Sequence, residues 1–234
     1  AMPKMDGISF FLKLKEIEKA KEWFKREGEL LAGLNHVGLP RVFDYFICNG
    51  SYYLVMTFIE GEDLETLLEK EGNAGLPEEK VLEIAMEILE ILDYLHNRTP
   101  PVVYRDIKPA NIMLHKDGRA VLIDFGIARP IDPQSDTVKT CVGTPAFAPG
   151  EILLGKPEPK SDIYSLGATM HYLLTGVHPT SFKFAPVTEL NQEISKEMEE
   201  ILLKALQSKP ENRFTDAKEM KDALEKLQAL PVRD

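Results

Sequence analysis

Asp106, Lys108, Asn111 and Asp124 lie close together, in VVYRDIKPANIML at Val102–Leu114 and VLIDFGIAR at Val121–Arg129. Two aspartates and an asparagine offer hard oxygen donors, a set that suits Mg²⁺ and phosphates better than zinc. A cation beside an acid suits the positioning of a hydroxyl for attack. Taken singly, each of these residues is most often a polar loop residue. Their joint spacing is what points to phosphate chemistry.

The composition narrows the setting for that chemistry. The 234 residues are 44% hydrophobic and 28% charged, as in a soluble globular protein with a sizeable core. A formal charge of -10 argues against a nucleic-acid partner, because phosphate backbones are bound by clustered Lys and Arg. No apolar run approaches the ~18 residues of a membrane span, so no membrane association is expected of the chain. No charged-then-apolar leader is present, so secretion is not expected either. Cys48 and Cys141 do not make a disulfide framework and suit a reducing compartment, so a cytoplasmic location is expected. The five histidines show no metal-ligand spacing.

The elements that must position the site read as follows. Ile8–Lys15 alternates as a strand, and Glu16–Leu34 follows a helical period weakened by Gly28 and Gly33. Asn35–Pro40 breaks the helix. Strands are expected at Arg41–Ile47 and Tyr52–Phe58, joined by a hairpin turn across Cys48–Ser51. Glu60–Asp63 reads as a polar joint, with Asp63 capping a helix that runs through Lys70. Pro77 opens a longer helix whose Val81, Ile84, Ile88, Leu92 and Leu95 form one apolar stripe, ending near Asn97. Short strands at Ile112–Leu114 and Ala120–Ile123 flank a Lys116–Gly118 turn, and Pro130–Gly150 reads as a long functional loop. Asp162–Thr175 is apolar enough to be a buried helix; Ser195–Gln207 and Asp216–Ala229 are amphipathic. The chain is therefore expected to be α+β, a strand-rich piece at residues 1–59 before a helical piece at 60–234, with a ligand cleft at the junction.

YRDIKPAN, DFG, GTPAFAPGE, SDIYSLGATMHYLLTG and KPENRF, in that order, resemble the signature set of protein kinases, most nearly the bacterial Ser/Thr kinases of eukaryotic type. The resemblance covers about Glu22 to Leu227 and implies one bilobal kinase domain that uses ATP and Mg²⁺. It implies that Asp106 is the catalytic acid–base group and that Lys108 neutralises charge on the transferred phosphoryl group. Lys108 followed by Pro109-Ala110 looks like Ser/Thr rather than tyrosine kinases. Asn111 and Asp124 would hold Mg²⁺. Glu27 would pair with an ATP-binding lysine, Lys13 or its neighbour Lys15. Met56 would be the gatekeeper, the backbone of Thr57 and Ile59 would bond adenine, Asp63 would reach the ribose, and Met113 would floor the adenine pocket. Leu31, Val42, Tyr104 and Phe125 would form a connected apolar column. Asp162 would bond backbone amides of the catalytic loop, and Glu151 would pair with Arg213 in a buried ion pair. Thr144 would contact Asp106 and Lys108. Arg105 implies control by phosphorylation, with Thr137 and Thr140 as candidate acceptors and a homodimer as a route to trans-autophosphorylation.

The chain departs from the pattern in three places. Tyr104 stands where the family usually has histidine, and Gly150 replaces the usual proline of the Ala-Pro-Glu triplet. No two glycines are spaced as G-x-G, so the glycine-rich loop that covers phosphates is missing and the N-lobe reads as truncated or degenerate. Two functions follow: an active Ser/Thr protein kinase acting on protein hydroxyls, or a kinase-fold binding or scaffolding module that handles nucleotide weakly.

Overall fold

A computed structural model describes residues 25, 28–49, 51–72, 74–124, 129–130, 144–180 and 182–230. The expected strand at Ile8–Lys15, with Lys13, and the expected regulatory glutamate Glu27 lie outside the described residues, as do Phe125, Thr137 and Thr140. Residues 28–32 are helical, the end of the first expected helix.

Strands β1 (Val42–Cys48) and β2 (Ser51–Met56) pair antiparallel, with Cys48 opposite Ser51. That register leaves a two-residue loop whose first residue, Asn49, has φ 49°, as hairpin turns of this length require and asparagine tolerates. The strands begin and end one or two residues away from the expected bounds. The segment expected to be a polar joint is instead partly a strand. β3 (Gly61–Asp63) pairs with β5 (Ile112–His115), which pairs in turn with β6 (Ala120–Leu122). Polarity misled because this short edge strand is partly exposed. A Cβ on Gly61 would overlap the Leu114 carbonyl, so glycine is what lets the two backbones approach. A third pairing joins β4 (Val102–Val103) to β7 (Arg129–Pro130).

Helix α1 (Leu64–Lys70) is capped by Asp63, whose carboxylate accepts from the Thr66 amide at 2.9 Å and the Thr66 hydroxyl at 2.8 Å. Helix α2 (Glu78–His96) buries the expected stripe together with Leu82, Ala85, Leu89 and Ile91. Its buried face packs on helix α4 (Pro159–Thr175), in which every residue from Ser161 to Thr175 is buried. Helices α3 (Gly150–Leu153), α5 (Val187–Leu190), α6 (Lys196–Ala205) and α7 (Ala217–Gln228) complete this larger lobe. Ser195 and Asp216 cap α6 and α7 through the amides of Met198 and Glu219. The result is a small sheet-bearing lobe and a mainly helical one, sharing a core that runs from Leu31, Leu34 and Leu54 to Leu224.

Gly150, expected to end a loop, starts α3, and this turn carries Glu151 to Arg213. The Arg213 side chain has no exposed surface; its guanidinium meets the Glu151 carboxylate at 2.5 and 3.2 Å. Its remaining donors go to the carbonyls of Gln207, Lys160 and Ser208. A buried cation is tolerable only with such partners. Glu151→Ala should therefore lower unfolding free energy in urea titration by about 3 kcal/mol. Lys221→Ala, which breaks partly exposed pairs to Glu90 and Glu225, should cost less than about 1 kcal/mol.

Candidate active site

The loop that carries the site is positioned by one buried carboxylate. Asp162, in the first turn of α4, has no exposed surface. Its oxygens accept from the amides of Tyr104 at 2.8 Å and Arg105 at 2.7 Å, as the sequence implied, and also from His96 Nε2 at 2.8 Å. Arg105 consequently adopts φ 76°, a left-handed conformation that costs a side-chain-bearing residue roughly 1 kcal/mol or more. The chain reverses there, and the next side chain is that of Asp106, which is buried.

Asp106 is held from several directions. Asn111 Nδ2 donates to its Oδ2 at 2.9 Å and to its main-chain carbonyl at 2.9 Å. Lys108 Nζ lies 3.0 Å from Oδ2. The Thr144 amide and hydroxyl reach Oδ1 at 3.0 and 3.1 Å. Lys108 also donates to Thr144 Oγ1 at 2.8 Å. Because lysine only donates, Thr144 Oγ1 accepts from it and turns its own proton toward Asp106. The carboxylate rotamer is thus fixed by charge-assisted bonds from two separate parts of the chain.

The Ile112–Leu122 pairing of β5 and β6 brings Asp124 beside the loop. One step beyond that pair, the Ile123 amide donates to the Asn111 carbonyl at 2.9 Å, and Asp124 follows, exposed, at φ 64°. Tyr104 ties the two segments from below. Its hydroxyl donates to the Ile123 carbonyl, and its ring is buried. Burial, helped by the charges of Asp124, Asp106 and Asp162, pushes the phenol well above its ordinary value, so it remains a donor. Phe125, expected beside Tyr104 in the apolar column, lies outside the described residues. Leu31 and Tyr104 do share the buried core, with Val42 packed against it.

The remaining site candidates are arranged as follows. The Thr57 amide is already bonded to the Arg41 carbonyl at 2.9 Å, so its own carbonyl is the group left for a ligand. The Ile59 amide has no partner among the described residues. Met113 is half-buried in β5, opposite Asp63 of β3. Both Asp63 oxygens are engaged in capping α1, a structural duty beside the expected contact with ribose. The residue that sequence reasoning missed is His96. It carries no spacing signal, because only the packing of α2 on α4 brings it to Asp162. Tyr104→Phe keeps the ring and removes one donor from a buried carbonyl; it should lower unfolding free energy by about 1–2 kcal/mol in urea titration.

A family model described as "Protein kinase domain" matches residues 6–227. The chain is 36% identical over 222 residues to "Serine/threonine-protein kinase PknA" of Nostoc sp., covering 88% of this chain and 38% of that protein. It is equally 36% identical over 222 residues to "Serine/threonine-protein kinase B" of Synechocystis sp., with the same shares of 88% and 38%. It thus spans well under half the length of these curated relatives. Among solved structures, the Mycobacterium tuberculosis PknI kinase domain superposes with a TM-score of 0.72 at 26% identity, covering 90% of this chain and 80% of that one. The site motifs, the two-lobed fold and these matches agree, and the chain belongs to the protein kinase family.

Proposed function

We propose that this chain is a Ser/Thr protein kinase domain that transfers the γ-phosphoryl group of ATP to protein hydroxyls. The observation that carries the reading is the junction of Asp106, Lys108 and Thr144, which joins the catalytic loop to the segment that would receive a peptide. Asp106, with its rotamer held by Asn111 and Thr144, accepts the proton of the attacking hydroxyl. Lys108, between Asp106 and Thr144, places a cation where charge on the transferred group is neutralised.

The residues fit a magnesium ion. Asn111 Nδ2 donates to Asp106, leaving the side-chain Oδ1 without a partner among the described residues, and Asp124 is exposed nearby in the chain. No group of three His, Cys, Asp or Glu side chains converges among the described residues. A small hard-oxygen set of this kind suits Mg²⁺, which is ordinarily completed by water and substrate phosphates. When bound, Mg²⁺·ATP supplies the phosphoryl group and screens its negative oxygens. We assign the adenine contacts to the Thr57 carbonyl and Ile59 amide, the adenine floor to Met113 and the ribose to Asp63. By resemblance alone, Lys13 is assigned to the ATP phosphates and Glu27 to pairing with that lysine.

The lobe boundary is proposed at residues 59 and 60, because β3 pairs with β5 of the larger lobe, while among the described residues β1 and β2 pair with each other. No helix among the described residues is long and apolar enough to cross a membrane. The low cysteine count supports a cytoplasmic site of action. A homodimer that phosphorylates Thr137 or Thr140 in trans is part of the proposal. The second reading, a scaffold that binds nucleotide weakly, is favoured by one observation: the chain has no G-x-G loop.

Transfer of labelled phosphate from ATP to the protein itself or to a generic protein substrate separates the two. Mg²⁺-dependent transfer should appear and fall at least ~10²-fold in Asp106→Asn. Its absence with the full native chain would leave the scaffold reading. ATP with Mg²⁺ should also raise the melting temperature, and that rise should disappear in Asp124→Ala.

A further inference from the structure

The segment between α4 and α5 surrounds a cavity of about 510 Å³, within the ~300–1,000 Å³ common for ligand sites. Its wall is built in advance. His171 of α4, itself buried, donates from Nε2 to the Ala185 carbonyl at 2.9 Å and meets the Phe184 ring edge-on at 5.1 Å. Val177 and Leu190 also line the cavity, and both are exposed. The Lys183 amide donates to the Thr180 carbonyl at 3.0 Å and closes a tight turn. Within that turn Phe182 stands at φ 61° with its ring 54% exposed. A turn position with positive φ suits glycine or asparagine, and phenylalanine is strained there. The ring does not join the core, so packing does not offset the strain. Backbone strain of this kind gathers at ligand contacts. Lys183 lines the same cavity and has no ion pair among the described residues, and no acidic residue lines it, in a chain of net charge -10. The cavity adjoins the segment beyond Thr144: His178, in its wall, meets the Phe147 ring edge-on at 5.5 Å.

We propose that this cavity docks a segment of the protein substrate that carries an aromatic side chain flanked by carboxylates. The ring is buried against Phe182, Val177 and Leu190, and a carboxylate pairs with Lys183. An exposed ion pair contributes little by itself, so apolar burial supplies the affinity and the lysine sets the preference. Thr144, three residues before Phe147, bonds Asp106, so a segment held in the cavity raises the effective concentration of the acceptor hydroxyl at the site. The proposal rests on the transfer to protein hydroxyls inferred above, and the binding part of its test uses no ATP.

Binding is read by fluorescence anisotropy with two labelled peptides, one with Asp-Trp-Asp at its centre and one with Lys-Trp-Lys. The wild-type chain should bind the acidic peptide about tenfold more tightly, and Lys183→Glu, a change at an exposed position, should reverse the order. Phe182→Asn suits the turn and removes the ring; it should weaken the acidic peptide about tenfold while the melting temperature holds or rises. For transfer, a threonine acceptor is joined to Asp-Trp-Asp through linkers of several lengths on either side. The best of these should show a KM about tenfold below that of the matching Ala-Ala-Ala peptide at equal kcat, and Lys183→Glu should remove the gain. Equal binding of the two labelled peptides would overturn the proposal, as would an order that Lys183→Glu leaves unchanged. So would a Phe182→Asn variant that melts lower yet binds as before, since the ring would then be structural, or a KM that no linker length lowers. A wild-type chain that binds the acidic peptide but transfers no phosphate would defeat the kinase reading, and the binding data would still establish the cavity as a peptide site.

Discussion

Asp162 is a carboxylate enclosed in a helix that is buried from Ser161 to Thr175, and such a charge is stable only when its oxygens are fully engaged. The donors that engage it are the amides of Tyr104 and Arg105 and the ring of His96. The stability of the core and the conformation of the catalytic loop are therefore one problem. If the loop left its position, it would leave a bare charge inside the larger lobe. That coupling explains how Arg105 is kept at φ 76° and how Asp106 is aimed without a regular element of its own.

A second constraint acts on Asp106 from outside its loop. Thr144 lies far along the chain, yet both its amide and its hydroxyl bond the Asp106 carboxylate, and Lys108 spans the two. The Glu151–Arg213 pair then secures the segment a few residues beyond Thr144. Ser161 supports this anchor: its hydroxyl donates to Glu151 and accepts from the Glu158 amide in the cap of α4. The helix that bears Asp162 thus also braces the segment beyond Thr144. The two halves of the site share one rigid base.

Much of this was legible in the residues. The apolar stripe of α2 and the caps at Asp63, Ser195 and Asp216 follow from side-chain size, period and local hydrogen bonding. The hairpin across Cys48–Ser51 and the contacts of Asp162, Glu151, Arg213 and Thr144 were also named from the chain, the last four through its resemblance to kinases. The β3 strand was not legible, because Gly61–Asp63 is polar and becomes a strand only through pairing with β5. The start of α3 at Gly150 was missed because glycine is a poor helix former, and tertiary anchoring outweighs that preference there. The hydrogen bond from Tyr104 to the Ile123 carbonyl had no signal in the residues, because it joins two segments brought together by the fold.

The sequence by itself determined which groups are available for the chemistry: Asp106, Lys108, Asn111 and Asp124 at fixed spacing, on a chain whose apolar periods specify a helical lobe. Those features depend on local geometry and on the few residues between neighbours. Only the tertiary structure decided that His96 meets Asp162 and that the Tyr104 hydroxyl joins the Asp106 loop to the strand before Asp124. Those contacts span large separations along the chain, and no period or motif encodes them. They exist because packing α2 on α4 buries a charge that must find its donors nearby.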